Sequence, residues 1–207
     1  GHWEFTYGTE RVQELIESLN FPFLAGNIID TEWEESVFPS SQFFEKGGIK
    51  IAVIGQAFPY TPVANPRHMI PTWSFGIREK LIRENVKKAR EEGAELVVLL
   101  SHNGFDVDRK LASRVEGIDV ILTGHTHDAL PEVIKVGNTL LIASGSHGKF
   151  LARLDLDIKG GRVVDYEFKL IPVFSDVITP DHEMASIIDK IRAPHKKELD
   201  TVLGTTD

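Results

Sequence analysis

Two rhythms of apolar residues alternate along this chain. Unbroken apolar runs mark strands covered on both faces, and apolar positions recurring every three to four residues mark helices with one buried face. Thr9 to Leu19 reads as a helix, with Thr9 as its cap and Val12, Leu15, Ile16 and Leu19 along one side. Phe21 to Ala25 reads as a short buried strand ending at Gly26-Asn27, and Ile49 to Ile54 as a strong strand stopped by Gly55. Arg78 to Glu92 is an amphipathic helix with Leu81, Ile82, Val86 and Ala89 inward, closed by Gly93. Glu95 to Leu100 is a central strand with both faces covered, Asp108 to Val115 a short helix ended by Gly117, and Ile118 to Leu122 another buried strand. Gly137-Asn138 lies between two strand-like runs, Glu132 to Val136 and Thr139 to Ala143, which is a hairpin signal. Gly160-Gly161 plays the same part between the run from Leu151 to Ile158 and the run from Val163 to Ile171. Asp181 to Leu203 reads as a helix kinked or broken at Pro194.

The chain is therefore α/β over its first two-thirds and rich in hairpins afterwards, which predicts stacked sheets with helices outside. One stretch fits neither rhythm. Phe58 to Phe75 carries Pro59, Pro62, Pro66 and Pro71 among the aromatics Phe58, Tyr60, Trp73 and Phe75, and reads as a long irregular loop that is functional or mobile.

Composition narrows the function. Apolar residues make up 42% and charged residues 26% of 207 residues, as in an ordinary globular domain. The longest aliphatic run, Leu96 to Leu100, is far short of the roughly 20 residues of a membrane span. The net charge of −8 argues against nucleic acid as the main partner. It leaves an anionic substrate open, because a bound cation would provide local positive charge. There is no cysteine, so thiolate chemistry and disulfides are excluded, and a metal could be held only by histidine and carboxylate.

Three histidine segments then stand out: Gly1-His2-Trp3-Glu4, Ser101-His102-Asn103-Gly104 and Gly124-His125-Thr126-His127. His102 and His125 each sit just past the carboxyl end of a buried strand, the edge of an α/β sheet where ligands collect. Gly124 permits the tight turn that would bring His125 and His127 to one site. Neutral imidazole is a common metal ligand. His147 follows a third buried strand and either faces the same edge or is a simple turn residue; His68, His182 and His195 read as solvated.

Ser-His-x-Gly followed by Gly-His-x-His resembles the calcineurin-like metallophosphoesterases, and within them the 5′-nucleotidase branch. The opening Gly1-His2-Trp3-Glu4-Phe5-Thr6-Tyr7-Gly8 stands where that branch has Gly-Asn-His-Glu-Phe-Asp-x-Gly. This departure, Ser101-His102-Asn103-Gly104-Phe105-Asp106-Val107-Asp108 and the proline loop from Phe58 to Arg67 resemble the SoxB thiosulfohydrolases of the bacterial sulfur-oxidation (Sox) system.

The resemblance implies a four-layer α/β/β/α metallophosphoesterase sandwich, incomplete at its N-terminus, over residues 1–200, with residues 201–207 starting a linker to a further substrate-binding domain. It implies two manganese ions bridged by an aspartate and a water, the metal-bound water attacking the substrate. Carried over by motif, His102 and His125 would ligate one ion and His127 the other, with His2 replacing the family's ligating Asn. The substrate would be a cysteine-bound sulfane-sulfonate on the carrier protein SoxYZ, the product sulfate, the setting periplasmic and the protein a monomer that binds neither nucleic acid nor membrane. The bridging aspartate and the Asp-x-His strand end would lie upstream of Gly1, so the sequence reads as an internal piece, inactive by itself.

Trp3 takes the place of a histidine that phosphoesterases of this family use to assist a departing alkoxide. An alkoxide gains from a general acid, whereas a thiolate, with a parent pKa of about 8.5, departs unaided. Indole at this position fits sulfur–sulfur hydrolysis better than ester hydrolysis; it could also be a packing residue beside the site. Asn103 could hydrogen-bond a sulfonate oxygen or cap the helix near Asp108. A 5′-nucleotidase-like phosphoesterase is the alternative, sharing every histidine motif.

Overall fold

A computed structural model describes residues 1–205. The chain divides into two compact units, Gly1–Ile171 and Pro172–Asp207. In chain order its strands are β1 (Ile29–Asp30), β2 (Ser41–Lys46), β3 (Ile49–Gln56), β4 (Trp73–Ser74), β5 (Leu96–Ser101), β6 (Val120–Thr123), β7 (Ile134–Val136), β8 (Thr139–Ile142), β9 (Phe150–Lys159) and β10 (Arg162–Pro172). The helices are α1 (Thr9–Glu17), α2 (Thr61–Ala64), α3 (Glu79–Glu91), α4 (Phe105–Ala112), α5 (His182–Arg192) and α6 (Lys196–Leu199).

The first unit is built on a six-stranded sheet of order β2-β3-β5-β6-β8-β7. The inner strands β3, β5, β6 and β8 run parallel, and β2 and β7 are antiparallel edges. One face packs on α3 and α4: Ile82, Val86, Ala89 and Leu111 meet Ala52, Ile54, Val97, Leu99, Ile121 and Leu141. Against the other face lies the β9-β10 hairpin, whose Leu154, Leu156, Ile158, Val163 and Tyr166 cover Leu96, Val120 and Leu140. Each such aliphatic side chain withdrawn from water stabilises the fold by about 1.5–3 kcal/mol. The mixed α/β architecture with a central sheet and flanking helices is the one expected, with the second sheet present as one hairpin.

Several local expectations are corrected. Gly55 does not stop β3 but lies inside it, because the backbone of Leu24 rests on it: a Cβ there would stand 2.2 Å from the Leu24 carbonyl oxygen. Residues 21–25 form no strand. Pro22 has no amide to offer a ladder, and the segment instead donates singly from Ala25 to the Pro39 carbonyl. Leu100 on β5 is 51% exposed, so that strand is not covered throughout. The helix expected from Asp108 starts at Phe105, directly after Gly104 at φ 96°.

The stretch from Phe58 to Phe75 is not a free loop. It contains α2, a single 3-10 turn and β4, and buries Ile70 and Trp73 in a second core with Phe5, Val12, Ala25, Ile28, Phe38 and Ala57. Buried Asn27 fastens it to the sheet, accepting from the Ala57 amide and donating to the Ala57 and Gly76 carbonyls.

In the second unit, Asp181 caps α5 by accepting from the Met184 amide, and α5 gives way at Arg192 to a 3-10 turn carrying Pro194, then to α6. Of the linker expected over residues 201–207, the last two lie outside the described residues. Among the described residues no helix is long and apolar enough to cross a membrane.

Candidate metal centre

The parallel register sets the site. Ser101, the last residue of β5, is level with Thr123, the last of β6, and with Gln56, the last of β3. His102 still donates its amide to the Gln56 carbonyl at 2.9 Å, and Gly124 donates to Ser101 at 2.9 Å, so both chains leave the sheet side by side. Gly124 lies close against the first histidine: a Cβ there would come within 3.1 Å of His102 Nδ1, so that ring would have to give by a few tenths of an ångström. His125, His127 and His147 all adopt positive φ, at 79°, 61° and 59°. Such strain is uncommon outside glycine and concentrates at functional sites.

His2 arrives from elsewhere. Phe5 is fully buried, edge-on to Trp73 and Phe75, and anchors the 3-10 turn Trp3–Phe5. The Asn65 side-chain Nδ2 donates to the His2 carbonyl at 3.1 Å and the Phe58 backbone amide to the Gly1 carbonyl at 3.2 Å. These ties bring three imidazoles together. Ring centroids are 5.4 Å apart for His2–His102, 5.2 Å for His2–His125 and 5.3 Å for His102–His125. One nitrogen from each lies within 4.8 Å of those of the other two, close enough to share a cation. Phe58 forms a wall, stacked on His125 at 3.8 Å and 22°.

Burial pushes the pKa of all three below the ordinary histidine value. For His102 burial is the leading cause, with His125 and His2 adding to it, and the value falls to about 4. For His2 the leading cause is burial, opposed by Glu4; for His125 the causes are burial, then His2 and His127. The rings are therefore neutral at pH 7 with a lone pair to give. His2 Nδ1 and His125 Nδ1 are buried without a hydrogen-bond partner. Two of the three clustered imidazoles thus carry a buried nitrogen with nothing to bond, which fits a metal's donor set, since burying an unpaired polar atom is otherwise costly.

The other sequence candidates lie elsewhere. His127 is exposed and its ring meets His147 edge-on at 5.5 Å, apart from the three. Trp3 is 81% exposed beside His2, so it packs in no core. Asn103 is buried with its amide nitrogen donating to Asp108 at 2.9 Å, while its Oδ1 has no partner. It does not cap α4, whose cap position is Gly104. His68, His182 and His195 are exposed.

Sequence reasoning placed Phe58 only within the proline-rich stretch and Asp108 only at a helix start and in the Ser101–Asp108 segment, with no role at the site for either. Asp108 is fully buried without a cationic partner and accepts from Ser101, Asn103 and Thr123. Burial pushes its carboxyl up, against those three hydrogen bonds.

No family model matches the chain. A solved SoxB sulfate thiohydrolase from Thermus thermophilus superposes with a TM-score of 0.91 at 38% identity, covering 95% of this chain and 36% of that one. A 5′-nucleotidase from Vibrio vulnificus is 25% identical over 203 residues, 84% of this chain and 37% of that protein. An uncharacterized metallophosphoesterase, YunD, from Bacillus subtilis is 27% identical over 151 residues, 72% of this chain and 32% of that protein. The chain thus spans about a third of the relatives it matches. These likenesses support the 5′-nucleotidase branch of the calcineurin-like metallophosphoesterases, a family that implies a dinuclear metal site.

Proposed function

We propose that this chain is the histidine-bearing part of a metal-dependent hydrolase of the SoxB type, which releases sulfate from a cysteine-bound sulfane-sulfonate on the carrier SoxYZ in the periplasm. The reading is carried by one observation: an imidazole, His2, completes a three-histidine cluster, and the residue after it is an exposed indole. The 38% identity to a SoxB sulfate thiohydrolase along 95% of the chain supports it.

His2, His102 and His125 would hold one ion through neutral nitrogens, and His127 would serve the other; the ions would be manganese. When bound, the pair would supply Lewis acidity toward water and the sulfonate oxygens. The chain's own part is positional. The ends of β5 and β6 fix His102 and His125, the Phe5 anchor fixes His2, and Phe58 keeps water from one side of the rings. Trp3 presents no proton to a leaving group, which suits departure of a persulfide or thiolate rather than an alkoxide.

The names of the curated relatives favour a second reading, a 5′-nucleotidase-like phosphoesterase. The full-length protein with manganese is to be given a peptide bearing a cysteine S-sulfane-sulfonate and, separately, AMP. The proposal expects sulfate release to exceed phosphate release at least a hundredfold. Phosphate release from AMP at an equal or greater rate would decide for the nucleotidase.

A further inference from the structure

Asp108 has no place in the reading above, yet it is a fully buried carboxylate facing no cation. Isolated buried carboxylates are rare because they lose their hydration, and one that persists has its oxygens occupied. Here both are. Oδ1 accepts from Ser101 Oγ at 2.8 Å and from Asn103 Nδ2 at 2.9 Å, and Oδ2 accepts from Thr123 Oγ1.

The donors are not scattered. Ser101 is the last residue of β5 and precedes His102; Asn103 follows His102; Thr123 is the last residue of β6 and stands two before His125. Ser101 Oγ also accepts from the Asn103 amide at 3.2 Å, which directs its own proton to Asp108 and closes the backbone around His102. One carboxylate on α4 thus grips both sides of the first histidine and the approach to the second. A second tie lies farther out, where the Phe105 amide donates to Thr126 Oγ1 at 3.1 Å.

We infer that Asp108 is a positioning residue, which holds the His102 and His125 loops in the relative placement that lets their rings share a cation. The inference rests on the metal-site reading for its consequence but not for its geometry. Truncation to alanine would leave three donors unpaired and remove the side-chain tie between the two strand ends, leaving only the backbone bonds there. Asparagine would preserve most of the grip: its oxygen can accept from Ser101 and Asn103, and its amide can donate to Thr123 once that hydroxyl turns.

The test uses the full-length protein and Asp108→Ala, Asp108→Asn and a control, Val115→Ala, whose buried side chain belongs to the same core and makes none of these bonds. Amide hydrogen exchange of the metal-free proteins at His102 and Gly124 reads the clamp itself, and manganese titration reads its consequence. Relative to Val115→Ala, Asp108→Ala is expected to speed exchange at both amides at least tenfold and to weaken manganese binding 10–100-fold, the range seen when groups orienting metal ligands are removed. Asp108→Asn is expected to restore both to within about threefold of the wild type, as the retained bonds imply. Exchange in Asp108→Ala no faster than in Val115→Ala, or no rescue by asparagine, would overturn the inference. A wild-type protein that binds no manganese but shows the exchange pattern would refute the metal-site reading and leave the clamp standing.

Discussion

Gly104 stands between the two histidine loops, and replacing it by alanine perturbs both at once. Its backbone lies at φ 96° and ψ 155°, a region open to glycine almost alone. Alanine there costs about 2 kcal/mol in backbone strain. The added Cβ would come within 2.9 Å of Thr126 Cγ2 and 3.7 Å of His125 Cδ2, so the loop carrying His125 must give way, at roughly 1 kcal/mol. Gly137, in the β7-β8 turn, is the comparison: φ is 59° and a Cβ would meet nothing within 4 Å. Alanine at Gly137 therefore carries strain alone, about 1 kcal/mol. Urea melts of the metal-free proteins should show Gly104→Ala losing about three times as much stability as Gly137→Ala. Manganese titration should show about tenfold weaker binding for Gly104→Ala and unchanged binding for Gly137→Ala, as expected when only the former displaces a ligand. Equal losses in both measurements would refute the close packing of the two loops.

Three further outcomes follow from the same contacts. Because the folded His102 binds a proton less readily than the unfolded residue, its pKa falling from 6.5 to about 4, stability is unaffected at pH 7 and is lost as pH falls from 6.5 toward 4. The loss at pH 5 is about 2 kcal/mol before, and about 1 kcal/mol after, discounting for solvent screening, and urea melts of His102→Gln should show a flatter pH profile by that amount. Arg90 pairs with Asp119 and also donates to the carbonyls of Ala94, Glu95 and Gly117, so Arg90→Ala should cost about 2 kcal/mol in a thermal melt, less than a fully buried pair would. Manganese at a hundred times its Kd should stabilise the protein by about 2.7 kcal/mol, reversed by EDTA and absent in His125→Ala.

The parts legible in the sequence were those with a strict rhythm. The apolar runs at Leu96 to Leu99 and Val120 to Leu122 announce strands covered on both faces, because consecutive apolar residues on a strand need cover on each side. Gly137-Asn138 and Gly160-Gly161 mark their turns because only the strands on either side give them meaning. His102 and His125 are readable as site residues for the same reason, lying directly beyond those runs. The second core is not readable: Phe5, Phe38, Ile70 and Trp73 come from three segments with no common period, and the prolines around Ile70 and Trp73 look like a loop. Gly55 reads as a stop, when its absent side chain is what admits Leu24. Asp108 reads as a helix beginning, since a carboxylate usually belongs to a surface and only the fold reveals three donors around it. His127 is drawn toward His147 by a left-handed turn that a Gly-His-x-His spacing does not disclose.

The central claim is that imidazoles from the chain's start, the end of β5 and the end of β6 jointly hold a cation. Anomalous diffraction at the manganese edge, from crystals of the full-length protein grown with manganese, tests it most directly. A peak within bonding distance of nitrogens from His2, His102 and His125 is the predicted result. A fully occupied manganese elsewhere, with these three rings bonded only to water or to each other, would contradict it.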